Sequence, residues 1–266
     1  MTNLFSRLLL VALSVTLFSA FTTTEMTTDD EKSKALIQAL YKVNGGWAKL
    51  AAKKDVQYTY IYKKGETMDL STERYVFDGE TSWAEYTQHQ INVMPDKEGM
   101  VKQCYMNGES KISLAGKQVT DPEAVGGTTF LRTANYFWFT MMHKLDDPGT
   151  VHKYLGKETM NGINYDKVSL SYDAKKIGKE VNDEYILYFN PETKLIDMFM
   201  FSLPAMGVNK PALKMEVEYT NIEGIPVSTK RMVSFPDDKG NYAVGLVQIT
   251  KNVKFNNGFT AADFKI

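Results

Sequence analysis

The feature that most constrains this chain is a side-chain period of two that sets in at Val56 and returns, between short turns, almost to the last residue. Val56, Tyr58, Tyr60 and Tyr62 fall on one face of an extended segment and Gln57, Thr59 and Ile61 on the other. Further extended segments are predicted over 68–77, 83–91, 101–106 and 112–119. Beyond residue 150 they are predicted over 151–155, through Val168, Leu170 and Tyr172, over 185–189 and 195–201, through Met215, Val217 and Tyr219, and over 225–235 and 242–255. Turn residues close them, among them Lys64-Gly65, Asp78-Gly79, Asn107-Gly108, Asn161-Gly162 and Glu223-Gly224, with Asn190-Pro191 and Asp237-Asp238 opening longer turns. Strands joined by connections this short lie antiparallel, because a parallel pair needs a crossover of a dozen residues or more.

Two stretches break the period. Leu36, Leu40 and Val43, with Ile37 and Tyr41 beside them, recur at helical spacing after Asp29 or Asp30, and Asn44-Gly45-Gly46 stops that helix. Trp47, Leu50 and Ala51 suggest a short second helical piece. Gly126-Gly127 interrupts the strands and introduces a helix over 128–143. There Phe130, Ala134, Phe137 and Met141 form one stripe, and Leu131, Trp138 and Met142 a second beside it. A helix apolar nearly all round is buried on most sides. The expectation is a mainly antiparallel β (α+β) fold in which a large meander curls around a central helix.

The first residues read as an export signal. Arg7 is the only charged side chain before Glu25, and fourteen largely apolar residues run from Leu8 to Phe21. A membrane-spanning helix needs about 20, so a cleaved signal is expected, ending between residues 20 and 24, and a domain over 25–266. An uncleaved anchor is the alternative. The chain has one cysteine, Cys104, far from that signal, so neither a lipid-modified N-terminus nor an internal disulfide is expected, and the thiol reads as buried and inert rather than reactive. With 32 acidic and 31 basic residues and no polybasic block, nucleic-acid binding is disfavoured. No second run is long enough to cross a bilayer as a helix.

A search for chemistry finds little. His89, His143 and His152 stand apart from one another and from Cys104, so no metal site is expected. No nucleophile elbow, zinc helix, phosphate loop or dinucleotide fingerprint occurs, so no catalytic residue and no cofactor is assigned. Gly126-Gly127-Thr128 before a helix invites comparison with an anion site, but reads more simply as a loop and cap. Asp146-Asp147, next to Pro148-Gly149, reads as a solvated turn. What is unusual is 15 Tyr, 14 Phe and 14 Met. Inward-facing residues of these types build a close-packed core or line an apolar cavity, and periodicity does not separate the two.

The stretch ALIQALYKVNGGWAKLAAKKDVQYTYIY resembles the opening of proteins with the lipoprotein-carrier fold, similar to LolA and LolB. The stretches NYFWFTMMHKLDDPGTVHKYLGKETMNGINYDKVSLSYD and DEYILYFNPETKLIDMFMFS resemble a family of exported bacterial proteins of that fold. The resemblance covers about residues 30–255. It implies a curved half-barrel sheet whose concave face is covered by helices, in an exported, periplasmic protein binding a lipid, a lipidated protein or another apolar ligand. No functional residue of the carriers matches position by position, and fold alone does not carry function. The candidate lining residues are Tyr58, Tyr60, Tyr62, Phe137, Trp138, Met141 and Met142. The alternatives are an envelope scaffold with a packed interior and no ligand, and a hydrolase with an unrecognised site. Nothing in the sequence assigns an oligomeric state.

Overall fold

The computed structural model describes residues 29–177 and 183–266. The expected export signal, with its cleavage site, lies outside the described residues. Helix α1 (Asp29–Asn44) ends where Gly45 and Gly46 take left-handed φ values of 84° and 59°, and α2 (Gly46–Ala51) follows at once. The buried line of α1 is Ser33, Ile37, Leu40 and Asn44, one step round from the expected one, and Val43 faces solvent. The step has a polar cause. Asn44 accepts from the Gly46 amide at 2.8 Å and donates to the Met142 carbonyl at 2.7 Å, which turns that side chain inward.

Among the described residues thirteen strands form one antiparallel sheet. They are β1 (Asp55–Lys64), β2 (Thr67–Val76), β3 (Thr81–His89), β4 (Val101–Met106), β5 (Glu109–Leu114) and β6 (Lys117–Val119) in the first half. The second half holds β7 (Thr150–Met160), β8 (Ile163–Tyr172), β9 (Tyr185–Phe189), β10 (Ile196–Leu203), β11 (Val208–Ile222), β12 (Ile225–Pro236) and β13 (Tyr242–Phe255). The order across the sheet is β6-β5-β4-β3-β2-β1-β13-β12-β11-β10-β9-β8-β7. Each half is a simple meander. The one long-range junction pairs β1 with β13, Val56 opposite Phe255 and Tyr62 opposite Gln248. The sheet does not close, since β6 and β7 remain its two edges. It is a curved half-barrel, as expected.

The turn signals sit where the hairpins are. Asn107 and Gly108 have φ values of 54° and 81°, and Asn161 and Gly162 of 50° and 81°, the double positive pair that a tight two-residue hairpin needs and that asparagine and glycine tolerate. The extended segment expected over 112–119 is instead two strands, β5 and β6, folded back at Ala115-Gly116, so that Ile112 lies opposite Val119. Alanine is a weak turn signal, which is why the break was not legible.

Helix α3 (Pro122–Thr140) joins the two edges of the sheet and lies over its concave face. It begins six residues before the expected start. Asp121 caps it, accepting from the Ala124 amide at 2.9 Å, with Pro122 and Glu123 in the first turn. Those signals outweigh the cost of Gly126 and Gly127, which sit inside the helix rather than in a loop before it. Their amides belong to the helix interior, so the anion-site comparison does not hold. The α-helix gives way to a 3-10 turn over Met141–His143. The expected stripe is also corrected. Phe130 is 41% exposed, while the most buried line is Thr128, Arg132, Tyr136 and Thr140. A largely polar line is not what an apolar period detects.

Candidate functional site

The concave face is set by register. Tyr58 is opposite Glu73, Tyr60 opposite Ser71, and Glu73 opposite Ala84, which is in turn opposite Gln103. On the other half, Arg231 is opposite both Val217 and Gln248, and Met215, Phe199 and Leu187 continue the same face outward. Two packed groups occupy its middle and second half, and a third, of Ala84, Tyr86, Val101 and Ile112 with Leu131 of α3, lies under the N-terminal half of that helix. Of the first two, one holds Tyr58, Tyr60, Tyr75, Phe77 and Tyr136, with Tyr62 and Phe139 at its margin. The other holds Met141, Tyr185, Phe199, Phe201 and Met215, with Phe137, Trp138 and Met142 packed against it. All seven candidate lining residues therefore lie between sheet and helices, but in two groups rather than one. Phe139 stacks on Tyr58 with ring centres 5.3 Å apart, and Trp138 stacks on Phe199 at 5.4 Å with its edge to Phe201. Consecutive residues of α3 thus reach to opposite halves of the sheet.

Beneath the helix is a polar cluster that the sequence reading missed. Arg132 and Glu73 are both fully buried, and Arg132 donates to both Glu73 carboxylate oxygens, at 2.5 and 3.3 Å, and to the Tyr86 hydroxyl at 2.6 Å. Ser71 and Tyr75 donate to the same carboxylate at 2.8 and 3.1 Å. Since the one proton of Tyr75 goes to Glu73, Tyr58 donates to Tyr75 at 2.7 Å, which gives the relay a direction. Burial works against the charge on Arg132, but Glu73, and then Tyr86 and Tyr75, outweigh it and hold the guanidinium protonated. Burial, and then Glu73, pushes the Tyr58 and Tyr75 hydroxyls well above their ordinary range, so both stay neutral donors. Burial does the same at Tyr62, to about 12. The available signal was one arginine in a helix otherwise almost free of charge, and one glutamate in phase with Ser71 and Tyr75 on an inward face.

The other titratable groups are structural. His89 bonds the carbonyls of Val93 and Gly99, His152 that of Leu145, and His143 that of Gly46, with burial holding His143 down to about 4 and so neutral. Burial pushes the Cys104 thiol up to about 11, behind Trp83 and Phe264. Asp146 of the expected turn accepts from Tyr41, and Asp147 pairs with Lys144. Among the described residues no group of three or more His, Cys, Asp or Glu is placed to hold a metal ion, and no helix is long and apolar enough to cross a membrane.

A cleft of about 390 Å³ opens beside the N-terminal half of α3, lined by Val93, Met94, Gln103, Ile112, Ala124 and Gly127 among others. A second, of about 210 Å³, lies between α1 and the β9–β10 turn, at Leu36, Phe189 and Lys194. The space directly between the sheet and the C-terminal half of α3 is filled by the aromatic side chains named above.

Several solved structures share this architecture. A DUF1329 family protein from Desulfovibrio piger is 14% identical, with a TM-score of 0.53 over 90% of this chain and 98% of that one. A putative outer membrane lipoprotein-sorting protein domain from Vibrio parahaemolyticus is 13% identical, with a TM-score of 0.54 over 88% and 97%. A LolA superfamily protein from Nitrosomonas europaea is 9% identical, with a TM-score of 0.51 over 88% and 97%. At such identities the likeness is one of fold, and it is the carrier fold the sequence resembles. No curated protein matches the chain. Residues 28–210 match a family of unknown function, and the chain accordingly belongs to DUF6503.

Proposed function

We propose that this protein is exported to the periplasm and binds a lipid, the lipid part of a lipidated protein or another apolar ligand between its half-barrel and helix α3. The observation that carries the reading is the roof. The concave face carries packed aromatic groups on both halves of the sheet, and helices, rather than a second sheet, cover it. Apolar surface taken from water contributes about 25 cal/mol per Å², so an acyl chain would be held without directed chemistry. In this reading the structure corresponds to a closed form of the site. Ligand sites commonly run about 300–1,000 Å³, and the 390 Å³ cleft beside α3 is at the low end. Binding therefore requires the helix to move off the sheet. Its C-terminal end is held through Asn44 and His143, and its N-terminal half through Gln103 to Thr128, Thr129 to Ser110 and Arg132 to Glu73, so opening breaks some of these bonds, and the cleft beside exposed Gly126 and Gly127 is where entry begins. Tyr58, Tyr60, Tyr62, Phe137, Trp138, Met141 and Met142 would line the opened site. Signal-like residues 1–24 support export, and the names of the structural neighbours agree with an envelope role.

The filled interior favours a second reading, an envelope scaffold that never opens. Native mass spectrometry of the protein purified from its own envelope separates them. A lipid-sized adduct is expected. Adduct-free protein that also takes up no lipid from vesicles overturns the carrier reading and leaves the scaffold.

A further inference from the structure

Arg231 lies at the seam between the two packed groups of the concave face, beside Val217 and Val233 on one side and Gln248, which is opposite Tyr62, on the other. It is only 4% exposed. Glu73 and Arg132 neutralise each other a few strands away, but among the described residues Arg231 enters no ion pair, and its Nη1 has no hydrogen-bond partner. The Gln248 side-chain oxygen beside it is buried and unpartnered as well. The charged neighbours that act on the same tyrosines, Tyr58 and Tyr60, are Glu73 and Arg132, already committed to one another. Removing a cation from water without a partner costs several kcal/mol, and a methionine or leucine of similar volume would avoid that cost. An anion brought to this guanidinium would remove that cost.

We propose that the ligand of the concavity is an amphiphile with an anionic head, carboxylate or phosphate, seated against Arg231 and Gln248, with its chain among Met215, Phe199 and Trp138. This rests on the apolar-ligand reading and adds the class of head. A guanidinium suits either anion, because its planar fork bonds two oxygens at once. The aromatic group lies two strands away on the same face, so head and chain are served by adjoining parts of one surface.

The test uses the full mature protein and three probes of equal chain length, namely palmitate, palmitoyl lysophosphatidate and the uncharged monopalmitoylglycerol. Affinities are read by displacement of a fluorescent fatty-acid analogue. Wild-type protein is expected to bind at least one anionic probe about tenfold more tightly than the neutral one, as a charged hydrogen bond implies. The tighter of the two anionic arms identifies carboxylate or phosphate. Arg231→Met should erase the preference without weakening the neutral probe, and Arg231→Lys should restore part of it, with thermal unfolding confirming that each variant is folded. If wild-type protein binds the neutral probe as tightly as both anions, or Arg231→Met keeps the preference, the anionic head is refuted while the carrier reading stands. Should Arg231→Met fail to fold, the wild-type comparison and Arg231→Lys still decide. Failure of all three probes to bind wild-type protein overturns both readings.

Discussion

Arg132 shows most directly how one residue ties α3 to the sheet. Its guanidinium reaches Glu73 on β2 and Tyr86 on β3, and Glu73 also gathers Ser71 and Tyr75. A buried pair is weak evidence for stability as a whole, yet breaking it is expensive because one charge is left buried and alone. Arg132→Met is expected to lower stability by about 3–5 kcal/mol in urea unfolding, and Glu73→Leu combined with Arg132→Met should recover most of that loss. If the single variant is as stable as wild type, the cluster contributes little. The pair was hidden from a one-dimensional reading for a plain reason. Arg132 and Glu73 are 59 positions apart, and nothing local marks either as the partner of the other. Tyr58, Tyr60 and Tyr62 were legible as one face because alternation is local, whereas their separation from Trp138 and Phe137 depends on where α3 crosses the sheet.

At the scale of elements, the strands follow from their turns and α3 follows from its cap. Asn107-Gly108 and Asn161-Gly162 announce tight hairpins, and they are where the chain reverses. Asp121, Pro122 and Glu123 start a helix through two glycines that a simple breaker rule treats as an end. Neither glycine faces a neighbour, since a methyl group added at Gly126 or Gly127 would meet nothing within 4 Å. Each substitution to alanine should therefore stabilise the helix by about 0.5–1 kcal/mol and raise the melting temperature by about 2–4 °C per kcal/mol. In the carrier reading, the same two changes should slow lipid uptake by stiffening the turns of α3 that border the cleft. A melting temperature that falls would show that the open space beside Gly126 and Gly127 does not accept a methyl group.

At the scale of the molecule, the two meanders are joined by β1 and β13, and the segment after β13 locks the joint from the convex side. Asp55, at the start of β1, accepts from the amides of Asn257, Gly258 and Phe259 and from the Asn257 side chain, while Phe264 packs on Trp83 and Cys104. Deleting residues 256–266 is expected to cost at least about 3 kcal/mol, on the scale of losing one buried phenylalanine. It should also make Cys104 react with a thiol reagent under native conditions, where the intact chain is inert. An intact chain whose cysteine reacts at once would show that the segment does not cover it. The sequence by itself determined the antiparallel class, the turns, the helical entry and the grouping of aromatic residues on common strand faces, because period, caps and turn chemistry act over a few residues. Only the tertiary structure decided that the first and last strands pair, that the most buried line of α3 is a polar one, and that Glu73 and Arg132 meet while Arg231 enters no ion pair among the described residues. Those outcomes depend on contacts between residues tens to hundreds of positions apart, and such contacts leave no local period to read.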